Sequence, residues 1–182
     1  MRNFSGLLFA STLAIGLIGS AFAAPANSSG SDRLEQRLSK QVHHALAMIP
    51  QTTIFDNLSY RIDGNTVALY GQVRDPIVKD EAQSAVKRLE GVERVDNQIE
   101  ILPTSFNDDR IRGQVARAVF SDSRLSSYAI QPLPPIRIIV KNGQVDLVGV
   151  VRTQADKNSA FIRANGVPGV FSVKNDLQVE QG

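Results

Sequence analysis

The chain has 182 residues with 20 basic and 18 acidic side chains, and a formal net charge of +2 selects no partner by itself. No cysteine occurs, which excludes a disulfide scaffold, a thiolate metal site, a thiol nucleophile and a cysteine-linked lipid. The fold must therefore rest on burial of its apolar residues.

Arg2, the apolar run GLLFASTLAIGLIGS and the small-residue pattern Ala21-Phe22-Ala23 predict an export signal over 1–23, cleaved after about Ala23. An uncleaved membrane anchor is the rival reading. Against it, Ser11, Thr12, Gly16, Gly19 and Ser20 interrupt a run already short for a spanning helix. Residues 24–31, rich in Ser, Asn and Gly, read as a flexible leader.

A first helix follows, capped by Asp32 with Glu35 three residues on, its buried stripe formed by Leu34, Leu38, Val42 and Leu46. The alternation Leu58, Tyr60, Ile62 predicts a strand, Asp63-Gly64 a hairpin turn, and Val67, Leu69, Gly71, Val73 the return strand. Asp75-Pro76 starts a second helix that runs to Leu89 and stops at Gly91. GVERVDNQIEI at 91–101 forms the last strand.

The chain then repeats. Gly71, Val73, Arg74, Gly91, Val95 and Asn97 match Gly149, Val151, Arg152, Gly169, Val173 and Asn175 at a constant offset of 78, while Gln41-Val42 match Gln114-Val115 at 73. The second copy thus carries five extra residues before its first strand. Its first helix, behind Asn107 or Asp108, bears Ile111, Val115 and Val119; strands follow at Ile136–Val140 and Val145–Val151 around Asn142-Gly143, and a helix runs from Thr153 to Gly166. PLPP at 132–135 stiffens the longer loop. Two copies of an α-β-β-α-β unit give an α+β fold, each unit a small three-stranded mixed sheet with two helices on one face. The short linker over 103–107 predicts that the copies lie close together.

VALYGQV, a helix and GVERVDNQIEI, repeated as VDLVGVV, GVPGVFSV and NDLQV, resemble the BON domain over 32–102 and 108–180. A tandem pair behind a signal is similar to the osmotically inducible periplasmic proteins of Gram-negative bacteria. The resemblance implies a periplasmic protein that binds phospholipid membranes or envelope components, supports envelope integrity under stress, and has no catalytic residues or cofactor. Lipid-anchored members carry a cysteine at the cleavage site; this chain does not, so the expected contact is peripheral.

The residues agree in offering no catalytic set. His43 and His44 are adjacent on a helix, point about 100° apart and cannot share a metal. Asp80-Glu81 and Asp108-Asp109 read as first-turn carboxylates facing the helix dipole. No Ser-His-Asp set, glycine-rich phosphate loop, metal spacing or nucleic-acid signature occurs. Gly71 and Gly149 are read as structural, bare backbone against which a helix packs; Gly91, where a helix stops, and its match Gly169 are read as structural too. Asn97 and Asn175 are expected to satisfy nearby backbone groups.

Divergence between the copies points to the second. Copy one has nine basic and eleven acidic side chains over 32–102, while copy two has ten and seven over 103–182. Gln83, Ser84, Ala85, Glu93 and Asp96 become Phe161, Ile162, Arg163, Phe171 and Lys174, and Lys157 stands one helical turn before Phe161. Apolar residues beside cations suit shallow insertion among anionic phospholipid headgroups, or docking on an envelope protein. The competing expectation is structural: Phe161 and Ile162 pack against copy one, and Phe171 belongs to the core.

Overall fold

The computed structural model describes residues 28–131 and 134–180; the export signal and most of the leader lie outside them, as do Pro132 and Leu133 of PLPP. Copy one comprises α1 (Ser28–Ala47), β1 (Asn57–Asp63), β2 (Thr66–Val73), α2 (Pro76–Lys87), β3 (Arg94–Asn97) and β4 (Glu100–Ile101). Copy two comprises α3 (Phe106–Phe120), α4 (Ser126–Ala129), β5 (Ile136–Lys141), β6 (Gln144–Val151), α5 (Gln154–Asn165) and β7 (Ser172–Val179). Both sheets are mixed. β2 pairs antiparallel with β1 and parallel with β3 and β4; β6 pairs antiparallel with β5 and parallel with β7.

Each unit has its own core, built from the inward strand positions and the helix stripes. Val67, Leu69, Val73, Val78, Ala82 and Val86 are fully buried in copy one, and Ile111, Val115, Ile136, Ile138, Leu147 and Ala160 in copy two. Each of the Val, Leu and Ile side chains contributes about 1.5–3 kcal/mol by leaving water. Asn97 and Asn175 pin the parallel crossover in both units. Their amide nitrogens donate to the carbonyls of Lys79 and Lys157, and their side-chain oxygens accept from the amides of Ile99 and Leu177.

Several details depart from the sequence reading. α1 begins at Ser28, so Asp32 lies inside the helix, and Leu34 leaves the apolar stripe at 68% exposure. The first hairpin turns at Gly64–Asn65 rather than Asp63–Gly64. α3 is capped by Ser105, whose hydroxyl accepts from the Asp108 amide, and it starts inside the segment read as linker. α2 ends at Lys87, and Asp80-Glu81 fall beyond its first turn. The last strand of copy one is interrupted at Gln98–Ile99, and the five-residue insertion of copy two folds as α4.

The glycine expectation fails in its reason. Gly71 and Gly149 have φ of +115° and +126°, and a Cβ would stand 2.0 Å from the Asn57 carbonyl oxygen and 1.8 Å from that of Pro135. The antiparallel neighbour strand, not a helix, excludes a side chain there.

The two copies are joined by more than the chain. Ile54 and Phe55 of copy one pack on the core of copy two, and the Ile138 amide of edge strand β5 donates to the Ile54 carbonyl at 2.8 Å. Arg74 pairs with Asp109 at 3.1 Å, and Lys141 with Glu100.

The same arginine position is anchored differently in each copy. The Arg74 amide donates to Asp56 at 2.8 Å and its guanidinium lies 5.8 Å from the Phe55 ring centre. In copy two the Arg152 amide donates to the Tyr128 hydroxyl at 2.8 Å and its guanidinium lies 5.1 Å from that ring. The Tyr128 hydroxyl in turn donates to the buried Asp156 carboxylate at 2.9 Å. Through Tyr128, the insertion takes over the work of the Phe55–Asp56 pair.

Candidate functional site

The end of copy two carrying the β5–β6 hairpin is built around one carboxylate. Asp108 stands in the first turn of α3, fully buried, and accepts the amides of Asn142 and Gly143, each at 2.9 Å. Asn142 at φ +53° and Gly143 at +76° form the tight turn that presents both amides together. The Phe171 amide donates to the Gly143 carbonyl at 2.8 Å, so the loop before β7 is fastened to the same turn. α3, the hairpin and this loop therefore meet as one end of the unit.

Two aromatic rings sit on that end. Phe171 is 82% exposed, and Phe106, the first residue of α3, is 96% exposed. Arg110, exposed on the next turn of α3, hydrogen-bonds Asn107 and lies where a side chain at Gly169 would stand. Phe106 escaped the internal alignment because it lies in the connecting segment, where no counterpart aromatic exists. Its signal was a bulky apolar residue between a cap serine and polar helix residues.

The remaining sequence candidates separate into three groups. Lys157, Phe161 and Ile162 lie on α5, Phe161 at 38% and Ile162 at 67% exposure. The bond from Asn175 to the Lys157 carbonyl sets α5 alongside β7, so Phe161 lies one turn nearer the Phe171 end. Arg163 is committed to Asp122 at 2.9 Å. The Arg124 amide and then this guanidinium hold the Asp122 carboxyl below its ordinary range. Lys174 does not join them. Along β7 the inward parity belongs to Val173, Asn175 and Leu177, so Lys174 lies on the sheet face opposite α5. There it pairs with Asp176, the main cause of its raised pKa. Asp146 shares that face, and burial raises its pKa against the opposing pull of Lys174.

At the equivalent end of copy one the carboxylate is Glu35, which is exposed and makes no bond to the turn. Around Gly64, Asn65, Glu90 and Gly91 a groove of about 510 Å³ stays open, floored by Leu38 and rimmed by Leu34. His43 and His44 are exposed on α1, and among the described residues no cluster of three or more metal-ligating side chains occurs.

The BON domain profile matches residues 36–103 and again 107–181. The chain is a tandem BON-domain protein. This BON protein is 28% identical over 163 residues to the outer membrane lipoprotein DolP of Haemophilus influenzae, covering 87% of this chain and 81% of that one. It is 29% identical over 125 residues to osmotically-inducible protein Y of Escherichia coli, covering 68% of this chain and 62% of that one. The C-terminal domain of CdsD, a structural protein of the type III secretion system of Chlamydia trachomatis, aligns over 79% of the BON protein and 98% of that chain. Its 12% identity and TM-score of 0.28 are too low to speak to function.

Proposed function

We propose that this BON protein is a non-catalytic, periplasmic envelope protein that binds anionic phospholipid surfaces peripherally through the hairpin end of copy two, in support of envelope integrity under stress. The observation that carries the reading is the placement of Phe106 and Phe171, both more than four-fifths exposed, on one end of the more basic copy. Rings held so far from any core cost solvation unless something apolar receives them. Arg110 beside them, and Lys157 and Phe161 farther along, supply cations and further apolar area. Each basic side chain near an anionic leaflet contributes about 1 kcal/mol. Arg163 and Lys174, already paired within the fold, contribute less. The printed descriptions of the relatives, an outer membrane lipoprotein and an osmotically inducible protein, support an envelope setting.

Vesicle flotation tests this. Phosphatidylglycerol vesicles should carry the protein upward at low salt, phosphatidylcholine vesicles should not, and added salt should release it. Equal recovery with both lipids would overturn the electrostatic part. A second reading, docking on an envelope protein, is favoured by β7, an eight-residue strand whose outer edge is unpaired among the described residues. A pull-down from solubilised membranes that survives high salt would support it.

A further inference from the structure

Between the copies lies a cleft of about 1000 Å³, distinct from the hairpin end. Its apolar walls include Leu46, Ile49 and Pro50 from copy one and Pro134, Pro135 and Val150 from copy two, with Thr53, Asp56 and Asn57 on a polar side. Val150 is 42% exposed, and Met48, at the rim, 65% exposed. The size falls within the range of small-molecule sites, about 300–1,000 Å³, at its upper end.

One arginine stands in this cleft, on the side lined by the polar residues Thr53, Asp56 and Asn57. Arg137, half-buried on β5, spends one N–H on the Thr53 carbonyl at 3.0 Å. The nearest acidic group, Asp56, is already engaged: its oxygens accept the Thr53 amide, the Thr53 hydroxyl and the Arg74 amide. Among the described residues no carboxylate lies within ion-pair distance of Arg137. Burial draws the guanidinium below its ordinary range, against the raising influence of Asp56. A partly desolvated guanidinium with spare donors and no partner carboxylate favours a bidentate anion.

The walls decide what is attached to that anion. Three of its eighteen lining residues are prolines, which lack an N–H, the Pro135 carbonyl already accepts the Val150 amide, and Thr53 and Asp56 in the lining are bonded to each other. A peptide laid against these prolines would leave its own amides unpaired, whereas an alkyl chain has none to satisfy. We propose that the cleft between the two BON units binds a fatty-acid carboxylate, with the head on Arg137 and the chain between Ile49, Pro134 and Val150. The ligand would be a monomer held by both copies, independent of any contact the hairpin end makes with a bilayer.

The test is titration of the full chain with dodecanoate below its micellar concentration, followed by calorimetry and backbone amide shifts. Saturable one-to-one binding is expected, with shifts at Met48, Ile49, Arg137 and Val150. Arg137→Gln should weaken it about tenfold or more, the worth of one charge-assisted bond. Val150→Phe, at an exposed position, should weaken it while leaving Arg137 in place. Dodecanol and dodecyltrimethylammonium should bind far less well. The proposal is overturned if Arg137→Gln binds dodecanoate as the wild type does, or if the shifts gather at Phe106 and Phe171. Equal binding of the cationic amphiphile, or uptake of lysophosphatidylglycerol without dodecanoate, would overturn it too.

Discussion

The hairpin ends of the two copies start from one template and finish differently. In copy two, Asp108 is short enough to sit under the turn and take both amides, so α3 is clamped to the hairpin. In copy one the equivalent Glu35 is longer by a methylene and stays in solvent, α1 stands off, and a groove opens where Leu34 shows 68% of its surface. A single carboxylate thus separates a fixed platform from an open trough. The aromatic rings are found on the fixed one. Insertion into a headgroup layer needs side chains whose backbone does not yield, and the clamped copy provides that.

Four experiments would break or sharpen this contrast. Asp108→Ala should cost the most, about 3 kcal/mol in urea denaturation, because the buried Gly143 amide and the Asn142 amide beside it lose a charged acceptor. Glu35→Ala should change stability by less than about 0.5 kcal/mol, as exposed substitutions do. Comparable losses at the two sites would mean that the clamp is not what distinguishes the copies. Tyr128→Phe comes next, with about 1–3 kcal/mol lost from thermal stability, since the Arg152 amide and the Asp156 carboxylate both forfeit the hydroxyl.

Phe106→Ser combined with Phe171→Glu should remove most flotation on phosphatidylglycerol vesicles while leaving the melting temperature nearly unchanged. Leu34→Ser in copy one should leave flotation intact. Loss of flotation in the Leu34 variant would move the contact to the other end of the protein.

The smallest effect concerns pH. The folded pKa of Asp122 is depressed, so its contribution is present above the unfolded value of 3.8 and lost as pH falls through the lower folded value. Asp122→Asn should therefore flatten the stability decline in that acidic window and little else. An unchanged acid limb would show that the bond to Arg163 carries no weight.

The architecture was legible because it is written twice. Gly71 and Gly149, Asn97 and Asn175, and the strand alternations recur at one spacing, and each marks a backbone requirement that both units share. What failed to show was whatever lacks a counterpart. Phe106 has no aromatic counterpart, Tyr128 lies in the insertion, and Arg137 sits on a strand whose partner position faces no cleft wall. Position in the alignment also misled. Lys174 looked like a neighbour of Phe171, but strand alternation puts it on the far side of the sheet, beside Asp146 and Asp176. Leu34 kept the helical spacing, yet among the described residues it lies 68% exposed, so periodicity alone could not bury it.

The backbone bond from Ile138 to Ile54, with Phe55 seated beside it, bears on how the molecule can be divided. The amino-terminal half serves as a lid over a raw sheet margin of the carboxy-terminal half, so cutting at the 103–105 junction would strip that margin bare. An excised later half is then expected to stick to itself through the 136–141 strand. Anyone wanting a portable fragment would do well to keep residues 53–56 attached.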